Sequence, residues 1–303
     1  MTVARLAWLL GLAGLAWLGC GPALAQAQAQ AQAPVNVVDD RGRPVLVAQP
    51  VRRIVSLLPS LTEAVCALQA CDRLVGVDRF SNWPAQVQPL PRLGGLEDTT
   101  IERLVALKPD LVLAAVSARA LARLEGLGIR VLALEPRTLA DTHRVLEVLA
   151  RALGQPGAGD RLWTQLDQRL TAAADRVPPA LRGQTVYFEV SSAPYAAGAS
   201  SFVGEVLARL QLGNVVPASM GPFPKLSPEF VVRAQPGIVM ASARNLAEMP
   251  GRPGWSGLTA LQTGRSCGFA EARYELLVRP GPRLAEAGEL IADCLQRLPT
   301  TRP

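Results

Sequence analysis

Ile101-Glu102-Arg103-Leu104-Val105-Ala106-Leu107-Lys108-Pro109-Asp110-Leu111-Val112-Leu113-Ala114 reads as a short amphipathic helix, a proline break and an apolar strand. The same grammar returns at Pro228-Glu229-Phe230-Val231-Val232-Arg233-Ala234-Gln235-Pro236-Gly237-Ile238-Val239-Met240-Ala241. The acid and the proline are both displaced by 127 residues (229 − 102, 236 − 109). A unit recurring once at long range predicts two similarly built lobes; a solenoid needs a shorter period repeated many times. Each copy places a glutamate in its first helical turn, where the helix dipole favours an acid.

Outward from the first copy the pattern stays regular. Ile54-Val55-Ser56-Leu57-Leu58 is a β-run closed by Pro59, and Ser60 with Glu63 forms a capping box for a helix over 61–68. Strands at 74–77, 111–115 and 131–134 alternate with helices at 118–127 and 139–153. Strands and helices alternating on short connections predict a parallel sheet covered on both faces. A helix over about 158–177 follows, with Leu162, Leu166 and Leu170 on one face and Pro178-Pro179 after it. About twenty residues span about 30 Å, which suits a single connection between lobes. The second lobe opens with a strand at 185–190 and a helix at 201–210, and closes with a helix over 284–298. The expected fold is α/β: two α/β lobes with mainly parallel sheets, joined by one long backbone helix. The expected boundaries are 1–25 signal peptide, 26–51 linker and lead-in, 52–156 first lobe, 157–178 connecting helix and 179–303 second lobe.

Composition bounds the function. The 303 residues suffice for two cores, and 49% hydrophobic with 18% charged residues describes a globular chain. The formal charge of +6 comes from scattered residues, with no basic run interleaved with aromatics, so nucleic acid is not an expected partner. Arg5 followed by an uncharged apolar run and Ala23-Leu24-Ala25 reads as an export signal cleaved after Ala25. A second reading is a lipoprotein signal on Cys20, against which Trp17 stands where an aliphatic residue is usual. Residues 26–34 alternate Gln and Ala as a linker, and residues 36–51 read as a small hairpin or an extended lead-in.

Beyond the signal, Cys66, Cys71, Cys267 and Cys294 make an even count, which in an exported protein argues for disulfides. Four cysteines allow three connectivities. Pairing neighbours puts one bridge in each lobe, and the 66–71 bridge requires the first helix to end near Gln69. Neither CxxC spacing nor histidine partners point to a metal.

Loops after the carboxyl ends of the strands are the default ligand region of an open α/β sheet. Only 5% of residues are aromatic, yet Phe80 and Trp83, Tyr195, Phe223 and Trp255 all fall in Pro/Gly-rich loops, and Leu96 sits in another such loop. This clustering points to an apolar cleft between lobes. His143 is the lone histidine and lies mid-helix, and no nucleophile elbow, phosphate-cradling loop or acidic/His metal cluster is present. The chain reads as a binder, not an enzyme.

The residues that carry a family resemblance run from about 53 to 298. They are Arg53-Ile54-Val55-Ser56-Leu57-Leu58-Pro59-Ser60-Leu61-Thr62-Glu63, Val75-Gly76-Val77 with Phe80-Ser81-Asn82-Trp83-Pro84, the 101–110 unit, and Arg279-Pro280-Gly281-Pro282-Arg283. In these the chain resembles the helical-backbone (class III) periplasmic substrate-binding proteins of ABC transporters, in particular the vitamin B12 binders. The resemblance implies a monomer that captures cobalamin or a related corrinoid between its lobes and delivers it to an ABC permease dimer in the inner membrane. Cobalamin is then the cargo, and no resident cofactor is expected. It implies that Glu102 and Glu229 dock onto permease arginines. Phe80, Trp83, Tyr195 and Phe223, with Leu96, Trp255 and Arg283, are the implied ligand contacts. Related members bind other metal chelates: a haem iron would use Tyr195, and an anionic ferric siderophore would use Arg79, Arg92 or Arg283.

Overall fold

The computed structural model describes residues 33–192 and 194–300. The segment expected to be an export signal, Cys20, Ala193 and most of the Gln/Ala linker lie outside the described residues. The lead-in is a hairpin of β1 (Val35–Val38) and β2 (Pro44–Val47), antiparallel with Val35 opposite Val47. Its turn is closed by the Asp39 carboxylate, which accepts from the backbone N–H groups of Arg41 and Arg43.

The first lobe runs β3 (Ile54–Ser56), α1 (Pro59–Ala67), β4 (Leu74–Val77), α2 (Ile101–Ala106), β5 (Leu111–Ala114), α3 (Leu121–Gly126), β6 (Val131–Ala133) and α4 (Leu139–Ala152). Then comes α5 (Ala158–Asp175). The second lobe runs β7 (Thr185–Ser191), β8 (Tyr195–Ala196), α6 (Phe202–Arg209), β9 (Gly213–Asn214), α7 (Pro228–Ala234), β10 (Ile238–Ser242), α8 (Ala243–Glu248), α9 (Thr259–Gln262), β11 (Ser266–Phe269), α10 (Glu271–Leu277) and α11 (Leu284–Leu295).

The first sheet is parallel in the order β4-β3-β5-β6. In the second sheet β9, β7, β10 and β11 follow one another in parallel pairings, and β8 adds an antiparallel pairing on β7. The lobes therefore share one strand order, and β5 and β10, the strands of the repeated unit, occupy the same place in each.

Alternation of side chains along each strand builds two cores per sheet. In the first lobe Ile54, Leu111, Leu113 and Leu132 face α1, α4 and the hairpin. Val55, Val112, Ala114 and Val131 face Leu104 of α2 and Leu124 of α3. In the second lobe Val186, Phe188, Ile238 and Met240 face α5, α6 and α11, while Tyr187, Val239 and Ala241 face Val231 of α7. Each fully buried aliphatic side chain contributes roughly 1.5–3 kcal/mol.

Helix α5 joins the lobes by belonging to both cores. Leu162 packs on the first core, Leu166, Leu170 and Ala173 lie in the second, and Trp163 touches both. Its 18 residues span about 27 Å. Gly159 lets α5 seat against α4: a Cβ there would stand 2.5 Å from the Glu147 backbone.

Several local expectations are corrected. Helix α1 starts at Pro59 with Leu58 as its cap residue and no side-chain cap bond, so the Ser60/Glu63 capping box does not form. The reason is that Glu63 turns inward and takes partners from the other lobe. The helix expected over 118–127 is shortened to α3, and the last helix stops at Leu295. Strand β11 and helices α8 to α10 carried no readable period, since they are only four to seven residues long. Disulfides join Cys66 to Cys71, just beyond the end of α1, and Cys267 on β11 to Cys294 on α11.

Candidate functional site

In each lobe the strand order reverses direction between the first strand and the third, β3/β5 and β7/β10. Crevices at such switch points, outside the carboxyl ends of the strands, are where open α/β sheets bind ligands. Two cavities lie at this edge in the second lobe. One, about 460 Å³, lies between the lobes: Glu135, Pro136 and Arg137 beyond β6 face Val190, Phe202, Pro222, Phe223, Val278 and Pro280. The other, about 370 Å³, is polar and includes Ser191, Ser242, Asn245 and Tyr274, with Val190 common to both. The first falls in the range of about 300–1,000 Å³ usual for small-molecule sites and is lined mainly by apolar groups.

Bonds between the lobes flank this cavity. On one side the Phe202 N–H donates to the Arg137 carbonyl at 2.8 Å, and the Leu139 N–H donates to Glu205 at 2.5 Å. On the other, Arg279 Nη1 donates to Glu63 Oε1 (3.2 Å) and Asn82 Oδ1 (2.8 Å). Its Nη2 donates to the Phe80 carbonyl (3.1 Å) and to Glu275 Oε2 (2.7 Å). Arg283 stands 3.7 Å from Glu63 and donates twice to Glu286. Burial pushes the Glu63 carboxyl above its usual range, against the pull of Arg283 and Arg279.

Residues 78–84 carry both first-lobe aromatics. Asp78, buried, accepts from the Phe80 N–H at 2.8 Å and from the Ser81 hydroxyl. Burial raises its carboxyl, opposed by the Ser81 bond. Thr62 links Ser81 to Ser56 at the end of β3 with two 2.8 Å contacts. The loop is thus rigid at its base and presents its rings outward.

The candidate ligand residues divide. Phe80, Tyr195 and Trp83 are 59%, 41% and 37% exposed. Phe80 stands over Gly95 beside the half-buried Leu96, and Arg79 lies 5.8 Å from its ring. Phe223 lines the cavity, its ring 5.9 Å from that of Phe202. Tyr195 lies next to the Phe223 loop, since the Ala196 N–H donates to the Pro224 carbonyl. Trp83 and Arg283 meet each other, the guanidinium 4.4 Å from the ring centroid, and Trp83 also borders a groove with Cys66, Cys71 and Leu90. Trp255 is corrected: it is fully buried, edge-on to Tyr187 and beneath Arg252 at 4.7 Å. The Pro-Gly context that suggested a surface ring instead turns the chain into the core.

Several charged groups were missed by sequence reasoning. Glu189, wholly buried on β7, accepts from Arg252 at 2.5 and 2.9 Å and from the Tyr187 hydroxyl at 2.8 Å. Burial raises the Tyr187 phenol, and also that of Tyr274, which donates to the Glu189 carbonyl. Arg279 was seen only as part of a motif. The alternation of β7 placed Glu189 inward, but nothing local gives its partner 63 residues away.

Glu102 and Glu229 are exposed in the first turns of α2 and α7, on the face of each sheet opposite α5. The Glu229 carboxyl is held below its usual range by its own backbone N–H and by Ser227. His143 sits on α4, 2.7 Å from Asp160 and stacked on Trp163. Among the described residues no group of three or more His, Cys, Asp or Glu is arranged to hold a metal, and no helix is long and apolar enough to cross a membrane.

Two α/β lobes of one strand order, joined by one helix around an apolar cavity, are the architecture of a small-molecule-binding protein. The chain belongs to the periplasmic binding protein family, whose profile matches residues 54–267. Membership implies export to the periplasm, a small-molecule ligand and an ABC permease as partner. An uncharacterized ABC transporter substrate-binding lipoprotein of Bacillus subtilis is 28% identical over 273 residues, covering 86% of this chain and 85% of its own. A vitamin B12-binding protein of Vibrio cholerae is 29% identical over 264 residues, 84% of this chain and 93% of its own. The solved structure of a periplasmic haem-binding protein from Roseiflexus, in its apo form, superposes with a TM-score of 0.69 at 26% identity, covering 81% of this chain and 98% of that one.

Proposed function

We propose that the protein, acting as a monomer, captures cobalamin or a related corrinoid in the inter-lobe cleft and delivers it to an ABC permease of the inner membrane. The observation that carries this reading is the apolar cavity between the lobes, walled by Phe223, Phe202, Val190 and Val278. A large, flat, partly apolar macrocycle suits aromatic walls, and Phe80, Leu96 and Tyr195, outside the cavity lining, would meet the part of it that extends beyond the cavity. The polar cavity beyond Val190 would take amide arms. The similarity to a vitamin B12-binding protein over most of both chains supports the same choice.

A ferric siderophore is disfavoured because the arginines it would need are engaged: Arg79 with Asp98, Arg92 with the Asp78 and Ser81 carbonyls, Arg283 with Glu286. Haem is the second reading, and Tyr195 carries it: an exposed phenol beside the Phe223 loop suits an iron ligand. Chemistry on the ligand is not part of this reading. Glu102 and Glu229 are the docking residues, and export follows from the leader with cleavage after Ala25. Purified protein incubated with cyanocobalamin and desalted is expected to retain a red chromophore near one equivalent. Retention of haem without corrinoid would overturn the assignment.

A further inference from the structure

Arg279 lies in the loop after α10, in the second lobe, yet three of its four acceptors belong to the first: Glu63, Asn82 and the Phe80 carbonyl. The fourth, Glu275, is on its own lobe and also accepts from Asn82 Nδ2 at 2.7 Å. Two of the three first-lobe acceptors lie in the loop that bears Phe80 and Trp83. The sequence neighbours of Arg279, Val278 and Pro280, line the inter-lobe cavity. Glu63 is 2% exposed at its side chain, and the cations within 4 Å of it, Arg279 and Arg283, both come from the second lobe. Separating the lobes here would take both cations from Glu63 and break the three bonds that Arg279 makes to the first lobe. A buried pair of this kind adds little net stability but discriminates between arrangements, because breaking it is costly. The guanidinium fork fixes several acceptors in one plane, which an ammonium cannot do.

We propose that Arg279 is a positioning residue: it ties the aromatic loop of the first lobe to the second lobe and so sets the width of the cleft. Any ligand is then met by walls at a fixed separation. The inference extends the proposed function, but its main test needs no ligand.

Nitroxide labels at Arg103→Cys and Arg233→Cys, on the exposed faces of α2 and α7, report the distance between lobes by pulsed electron resonance. Arg279→Ala is expected to widen the distribution about twofold or more, and Arg279→Lys to recover only part of the order, since it restores the charge but not the fork. Should Arg279→Ala fail to fold, Arg279→Met with Glu63→Gln removes the pair without stranding a charge, and the same broadening is expected. A wild-type distribution in Arg279→Ala and in the double variant overturns the proposal. With cyanocobalamin as probe, dissociation from Arg279→Ala is expected to be about tenfold faster, equivalent to about 1.4 kcal/mol. Failure of the unsubstituted protein to bind this probe would overturn the choice of ligand, and the distances would still decide the role of Arg279.

Discussion

Lys108 and Gln235, 127 residues apart (235 − 108), share a left-handed backbone, φ 46° and 42°, each just before a proline at the end of a glutamate-bearing helix. Gln69 and Gln211, after α1 and α6, form a second such pair at φ 58° and 60°. These four are the positive-φ non-glycine residues among the described residues, and they fall at two equivalent places in each lobe. The repeat therefore extends to the backbone angles at its helix ends.

A left-handed non-glycine residue costs about 1–2 kcal/mol, while glycine gives back about 0.5–1 kcal/mol through the unfolded chain. Lys108→Gly and Gln235→Gly are each expected to be neutral or stabilising by up to about 1 kcal/mol, and additive because the sites are far apart. Urea unfolding of both single variants and the double checks this.

Arg252 neutralises a carboxylate buried in the centre of the second sheet. Arg252→Ala is expected to cost about 3–5 kcal/mol, because Glu189 stays buried and unpaired. Adding Glu189→Gln should recover part of that loss, which a urea titration of the pair would register.

Glu63 makes stability pH-dependent in a defined sense. Its carboxyl is raised in the folded state, so its contribution is full below the unfolded value and is lost as pH rises through the folded one. Relative to Glu63→Gln, the unsubstituted protein should lose stability as the pH rises above the ordinary glutamate value of about 4.3. Melting temperatures of the two across that rise give the sign directly.

Phe223 lines the inter-lobe cavity and Trp255 is buried in the core, so the proposed binding role and core packing can be tested apart. Phe223→Ala is expected to weaken cyanocobalamin binding about tenfold or more. Trp255→Phe should leave binding unchanged, and Trp255→Ala should cost about 3–5 kcal/mol of stability. Calorimetric titration and denaturation measure the two effects independently.

The proposed docking residues, Glu102 and Glu229, are exposed and lie outside the lining of the inter-lobe cavity. Glu102→Ala with Glu229→Ala is expected to abolish permease-dependent uptake in proteoliposomes while leaving ligand affinity unchanged. Reduced affinity would place these residues in the ligand site instead.

Local patterns made much of this legible. The apolar runs at 54–58, 111–115 and 238–241 could only be buried strands flanked by helices, and Leu162, Leu166 and Leu170 marked one face of the connecting helix. Loop aromatics were less secure, because a Pro/Gly context looks the same whether a ring turns outward, as Phe80 does, or inward, as Trp255 does. Ser60 and Glu63 looked like a cap because the motif is local, but a distant arginine took the carboxylate.

The sequence by itself determined two lobes of one design, their parallel strands, the single connecting helix and the paired glutamates, since each is written in residues a few positions apart. Only the tertiary structure decided which aromatics line the cleft and which charges cross it. Arg279 meets Glu63 across 216 residues of chain, and a contact that distant exists only once two folded surfaces have been brought together.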